Sequence, residues 1–173
     1  MTGAVPARTR WAVALLDVGP DDEILEIGGG PGVAMALVCD RLRGGRITGV
    51  DRSATAVERA AARNAQHVAA GRAVLVRGQV TDVSLPPGSV DTVFAVNVNV
   101  FWTTPAAAEL GAIRRLLRPR GALHLVYEAP TAGKARAVAG AVSAALERNA
   151  FRARVSTGGA PELVAVSARP GGG

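Results

Sequence analysis

Cysteine, lysine and aromatic residues are all scarce in this 173-residue chain, and each shortage removes a class of function. A single cysteine, Cys39, cannot build an internal disulfide framework. With only two histidines, His67 and His124, far apart in sequence, neither a metal-ligand cluster nor a Cys-His or Ser-His-Asp arrangement can be assembled. Cys39, beside Leu37 and Val38, reads as buried packing, His67 as a solvated helix residue and His124 as part of a buried strand. Lys134 is the only lysine, so no glycine-rich loop here can supply the lysine of an ATP- or GTP-binding phosphate loop. Aromatics make up 3% of the residues, and the arginines behind the net charge of +6 are spread along the chain, at Arg8, Arg41, Arg72, Arg114, Arg152 and elsewhere, without a basic block. That pattern argues for solvated helix faces rather than a nucleic-acid surface, while leaving room for an anionic small substrate. Apolar stretches such as Val93 to Val100 are broken by polar residues and fall short of the roughly 20 residues that a membrane-spanning helix needs. Met1 to Arg10 lacks the apolar core of a signal peptide, so a cytoplasmic protein with no membrane segment is expected.

What the chain has in quantity is Ala, Val, Leu and Gly, arranged as short apolar runs that alternate with helical patterns. A first helix is expected from Arg10 to Val18, with Trp11, Ala14, Leu15 and Val18 on one face. The run Glu23 to Ile27 reads as a buried parallel strand opening into glycines, followed by a helix from Val33 to Leu42. Arg46 to Asp51 is a second strand. An Ala-rich helix then runs to Ala70, capped by Ser53 or Thr55, with Thr55 to Glu58 fitting a capping box. Ala73 to Arg77 and Val90 to Val98 are the third and fourth strands, and Thr104-Pro105 reads as the cap and first residue of another helix. After a turn over Arg118 to Gly121 come a fifth strand, Ala122 to Tyr127, a helix from Lys134 to Asn149, and two extended runs, Phe151 to Ser156 and Glu162 to Ser167. This alternation predicts an α/β fold, doubly wound and mostly parallel, with helices on both faces and one antiparallel strand from the C-terminal hairpin. Length and the absence of a linker predict one domain over residues 1–173, with 1–9 a flexible leader and 170–173 a flexible tail.

The strongest local signal is Glu26-Ile27-Gly28-Gly29-Gly30-Pro31-Gly32, placed between a strand and a helix. Such a density of glycine suits a tight turn that a ligand approaches along the main chain, where a Cβ would obstruct it. Spacing narrows the ligand. A dinucleotide G-x-G-x-x-G would put its third glycine at Val33, whereas acid-x-G-x-G-x-G is met in full by Glu26, Gly28, Gly30 and Gly32. Asp51 closes the second strand, where a carboxylate suits the vicinal diol of a ribose; this supports a nucleoside without choosing among cofactors.

The segment ILEIGGGPG resembles the first motif of class I S-adenosylmethionine-dependent methyltransferases, and the resemblance extends over most of the chain. It implies a Rossmann-like, seven-stranded sheet of order 3-2-1-4-5-7-6, S-adenosylmethionine as cofactor and S-adenosylhomocysteine as product. By position it implies a cofactor site at Glu26, Gly28, Gly29, Gly30 and Gly32, at Asp51 and Arg52, at Gln79 and Val80, and at Asn97. The family often has Gly-Asp-Ala after its third strand; Gly78-Gln79-Val80 departs from it, with Asp82 either a compensating acid or a turn residue. Asn97, set among Val96, Val98 and Val100, needs either backbone partners or a ligand if it is buried. Leu116 to Gly121 stands where the ubiquinone- and menaquinone-type, small-molecule branch has Leu-x-Pro-Gly-Gly.

On the acceptor side, Asn99, Phe101 and Trp102 follow the fourth strand and read equally as pocket wall or core, while Trp11 and Tyr127 are expected on the same rim. Glu128 is the one candidate general base, useful if the acceptor is a hydroxyl or phenol. The expected activity is methyl transfer to a small-molecule acceptor, with no metal. A short leader and the lack of a lid imply an open pocket or one completed by a second subunit in a homodimer. The rival readings are a noncatalytic cofactor-binding or partner subunit and an NAD-linked oxidoreductase.

Overall fold

The computed structural model describes residues 4–160 and 162–172. Seven strands form one sheet: β1 (Glu23–Ile27), β2 (Arg46–Asp51), β3 (Ala73–Arg77), β4 (Val90–Val96), β5 (Leu117–Glu128), β6 (Phe151–Thr157) and β7 (Leu163–Pro170). Their order is β3-β2-β1-β4-β5-β7-β6, the order implied by the family resemblance. The first five strands pair in parallel, and β7 runs antiparallel between β5 and β6. The helices are α1 (Ala7–Leu15), α2 (Val33–Cys39), α3 (Ala54–Arg63), α4 (Ala65–Ala69), α5 (Val100–Thr103), α6 (Ala107–Leu116) and α7 (Ala132–Arg148).

Burial on both faces explains why β1 and β4 read as nearly unbroken apolar runs. On one face Val13 and Leu16 near α1 and Met35 and Val38 of α2 pack on Ile24, Ile47 and Phe94. On the other, Leu110, Ile113 and Leu116 of α6 and Val138 and Val142 of α7 cover Leu25, Val93, Leu123 and Val166. Among the described residues no helix is long and apolar enough to cross a membrane.

Helix ends differ from expectation for local reasons. α1 starts at Ala7, inside the expected leader, because Pro6 offers its carbonyl to Thr9 and Arg10, and its buried residues are Thr9, Ala12 and Val13. The expected helix to Ala70 is interrupted at Asn64, whose buried side chain donates to the carbonyls of Gly32 (3.0 Å) and Ala60 (2.9 Å). Ser53, rather than Thr55, caps α3 by accepting from Ala56 N–H at 3.2 Å. Thr104-Pro105 does not open α6. Thr104 Oγ1 accepts from Ala106 N–H at 3.1 Å, Ala106 takes a left-handed φ of 49°, and the helix follows it. Arg118 to Gly121 is strand rather than turn, with a register shift between Val90 and Thr92 absorbing the extra residues. At the C-terminus Pro170 pairs with Phe151 and Gly171 N–H bonds Ala150 at 2.8 Å, so the strand extends into the expected tail.

Candidate active site

Parallel strands deliver their carboxyl ends to one edge of the sheet, and the loops leaving β1, β2, β3 and β4 meet there. They enclose a cleft of about 530 Å³. One half is walled by Gly28, Asp51, Arg52, Gly78, Gln79 and Val80, the other by Asn97 to Phe101 with Thr103, Thr104 and Glu109.

The glycine loop is fixed from below. Gly28 N–H bonds Val50 at 2.8 Å, continuing the sheet past β1, and Gly28, Gly30 and Gly32 take φ of 66°, 52° and 75°. A Cβ on Gly32 would lie 2.6 Å from Asn64 Nδ2 and 2.9 Å from the Ala60 backbone, so this glycine serves packing. A Cβ on Gly30 would meet nothing within 4 Å, so that stretch of main chain is bare on its outer side. Asp51 ties the loop to β2: Oδ2 accepts from Gly30 N–H at 3.0 Å and Oδ1 from Ser53 N–H at 2.9 Å. A carboxylate has about four acceptor sites, so both oxygens can still accept from a ligand.

Glu26 lies behind the loop rather than in the cleft. It is 3% exposed, lines a void of about 10 Å³ with Gly29, Gly30 and Asp51, and its Oε2 has no hydrogen-bond partner. Burial first, and then the charge of Asp51, raise its pKa from 4.5 to about 8. Arg52 and Gln79 are exposed on the cleft wall, and Val80 is buried beneath it. Asp82 is the turn residue of the two alternatives: its carboxylate accepts from Gln79 N–H at 2.8 Å. Asn97 is exposed, with a left-handed φ of 56°, and its Oδ1 accepts from Glu128 N–H at 2.9 Å. Backbone pairing therefore accounts for its carbonyl, while the residue still lines the cleft.

The acceptor candidates separate. Asn99 lines the cleft and accepts from Trp102 Nε1–H at 3.3 Å. Phe101 is 1% exposed and belongs mainly to the core, with an edge on the cleft. Trp102 turns away beneath Lys134, whose Nζ sits 4.5 Å from the ring centroid. Trp11 packs near Ala12 and Val126, on the α1 face of the sheet. Tyr127 is buried, donates to Val98 O at 3.0 Å, and has its phenol pKa pushed up by burial. Glu128 is exposed and paired with Arg8 at 2.7 Å, outside the residues that wall the cleft. Sequence reasoning missed Thr103, Thr104 and the half-buried Glu109, which α5 and the start of α6 carry to the cleft. The adjacent threonines before Pro105 were the available signal. Among the described residues no group of three or more His, Cys, Asp or Glu could hold a metal.

An orphaned buried carboxylate, a bare stretch of glycine backbone and an acid at the end of β2 fit a nucleoside cofactor. The comparisons agree. The family described as a methyltransferase domain matches residues 24–121. An uncharacterized methyltransferase of Bacillus subtilis, YdaC, is 30% identical over 112 residues, which are 65% of this chain and 59% of that protein. A SAM-dependent methyltransferase from Aquifex aeolicus superposes with a TM-score of 0.77 at 16% identity, over 92% of this chain and 88% of that one. Geranyl diphosphate C-methyltransferase from Streptomyces coelicolor A3(2), solved with Mg2+, geranyl diphosphate and S-adenosyl-L-homocysteine, gives 0.74 at 14% identity, over 94% and 78%. The chain belongs to the methyltransferase-domain family, and its Rossmann-like fold is that of the S-adenosylmethionine-dependent methyltransferases on which it superposes.

Proposed function

We propose that this protein transfers the methyl group of S-adenosylmethionine to a small-molecule acceptor held in the outer half of the cleft. The observation that carries the reading is the Asp51 carboxylate, locked to Gly30 N–H at 3.0 Å on the wall of a cleft of about 530 Å³. That volume suits a cofactor's reactive end and a small partner.

In this reading Asp51 accepts from the two ribose hydroxyls, Gln79 and the buried Val80 wall flank the adenine, and the loop from Gly28 to Gly30, open at Gly30, carries the methionine portion. Glu26 sets a carboxyl behind the loop that is largely neutral at pH 7 in the free protein and ionises where the positive charge of the bound cofactor offsets its burial, and Asn97 stands where donor and acceptor meet. When bound, S-adenosylmethionine supplies a methyl group on a sulfonium whose positive charge is discharged as the acceptor attacks in line. The protein's own residues then need to bind, align and exclude water; proximity alone lowers such barriers by roughly 7 to 11 kcal/mol in favourable cases. No base is demanded of Glu128. Thr103, Thr104, Asn99 and Glu109 supply hydroxyl, amide and carboxylate groups to orient the acceptor.

Calorimetry with S-adenosylmethionine and NAD, followed by incubation of a cognate cell extract with isotopically labelled methyl donor, tests the reading. Saturable binding of S-adenosylmethionine and label in the low-mass fraction are expected. Label confined to protein or nucleic acid overturns the small acceptor. Tight binding with no label in any fraction favours the noncatalytic subunit, and binding of NAD alone overturns the whole assignment.

A further inference from the structure

A second groove, of about 610 Å³, lies away from the cofactor cleft on the face of the sheet that carries α1. Its floor is built by strand alternation. His124 on β5 stands opposite Ser167 on β7, Ser167 opposite Arg154 on β6, and Arg169 opposite Arg152. Side chains two apart on a strand share a face, so these five groups point the same way. Arg120, beside Pro119, completes the basic wall.

Two features of this wall are unfavourable in the protein alone. Arg152 and Arg169 are directly opposed like charges on neighbouring strands, an arrangement that destabilises a sheet. And where Arg8 and Arg118 meet the carboxylates of Glu128 and Asp91, none of Arg120, Arg152, Arg154 and Arg169 meets a carboxylate within 4 Å among the described residues. The positive field reaches the floor: after burial, Arg169 is the second cause that lowers the His124 pKa, to about 4, leaving the ring neutral with Nδ1 2.8 Å from Ser167 Oγ.

We propose that this groove is a second binding site, for a compact oligophosphate such as the diphosphate or triphosphate group of a small ester. Guanidinium forks match phosphate oxygens in pairs, and four of them in one groove call for more negative charge than a single carboxylate carries. The opposite wall limits the ligand's length. Asp17, Asp22 and Asp91 line it, and an extended polyanion running past the arginines would meet these carboxylates. Asp91 is already held by Arg118 and by Glu23 N–H, and Asp22 by Gly19 N–H, so neither is free to turn and neutralise the arginines. A bound oligophosphate would relieve the Arg152–Arg169 repulsion, so binding should stabilise the fold.

The test uses the full chain, inorganic tripolyphosphate as probe, and the double variant Arg152→Ser with Arg169→Ser. Wild-type protein is expected to bind one tripolyphosphate saturably and to melt at a higher temperature when it is bound. The variant should bind about tenfold more weakly or worse, a change of ~1.4 kcal/mol, while binding S-adenosylmethionine as wild type does. Its own melting temperature without ligand should be equal or higher, because the like-charge pair is gone. Equal binding by the variant overturns the site. So does a wild-type response that sulfate reproduces at the same ionic strength, and so does tighter binding of a single-stranded oligonucleotide than of tripolyphosphate. None of these outcomes depends on whether the cofactor cleft transfers a methyl group.

Discussion

The two halves of the cleft are built by different means. In the half formed by β1, β2 and β3, the wall is main chain pinned in place: Gly28 N–H on the Val50 carbonyl, Gly30 N–H on the Asp51 carboxylate, Gly32 wedged against Ala60 and Asn64. Its charged groups are few and constrained, and one of them, Glu26, is buried without a partner. In the half beyond β4, the wall is side chain on a one-turn helix and the start of α6, with Asn99, Thr103 and Thr104 exposed and Glu109 half-buried. A site for a fixed cofactor can be set into backbone geometry, because the ligand never varies. A site for an acceptor is carried on side chains that can be exchanged without disturbing the sheet.

The sharpest way to break this comparison is to remove the stored cost on the donor side. A carboxyl whose folded pKa is raised stabilises the fold fully below its ordinary value, and loses that contribution as pH climbs through the raised one. For Glu26 the window runs from 4.5 to about 8. Ligand-free wild type should therefore lose stability across that range, by up to roughly 5 kcal/mol at 1.36 kcal/mol for each pH unit, whereas Glu26→Gln should stay nearly flat. The variant should also bind S-adenosylmethionine more weakly. Urea denaturation at pH 5 and pH 9, with and without cofactor, reads both; parallel stability profiles for the two proteins would remove Glu26 from the argument.

Next in size is a contrast within the glycine loop. Gly32→Ala forces a Cβ onto the Ala60 backbone and Asn64 Nδ2 at a left-handed φ, and should lower stability by about 3 kcal/mol. Gly30→Ala shares the left-handed backbone but meets open space, so about 1 kcal/mol is expected. Its larger effect should fall on cofactor affinity, since the proposed cofactor position runs past the open main chain at Gly30. Equal losses of stability in the two variants would show that the loop has one role rather than two.

The same division explains what could be read in the sequence. Strands buried on both faces announce themselves as apolar runs, so Glu23 to Ile27 and Arg46 to Asp51 were legible to the residue, and so was the half-exposed edge strand Ala73 to Arg77, set off by Gly71 and Gly78. The glycine loop was legible because backbone geometry restricts residue type directly. What escaped were features set by single tertiary contacts. Asn64 breaks a helix to satisfy the Gly32 carbonyl, Ala106 adopts a left-handed backbone with no glycine to advertise it, and Arg118 to Gly121 is drawn into β5 beside β4. On the acceptor side no such restriction operates, so Trp102 and Phe101 gave the same pattern whether they faced the cleft or the core. Glu109 had no pattern at all: its placement depends on α5, a helix of four residues that no periodicity could reveal.

The smallest expected effect concerns Glu128, the carboxylate that topology alone nominated as a base. It ends β5 on the rim, but its side chain is drawn to Arg8 on α1 at 2.7 Å, in a pair open to solvent. Its fixed interaction with the site is through the backbone, where its N–H holds the Asn97 side chain at 2.9 Å, and substitution leaves that bond in place. An exposed ion pair contributes about 0 to 1 kcal/mol, so Glu128→Gln should change melting by about 4 degrees at most and turnover by less than about twofold, far below the 10² to 10⁴ attributed to general acid-base catalysis. Once a labelled acceptor is in hand, initial rates of the two proteins across pH decide the matter. A hundredfold loss on the plateau, with the acidic limb of the wild-type profile abolished, would return Glu128 to the chemistry and require Arg8 to release it when the acceptor binds.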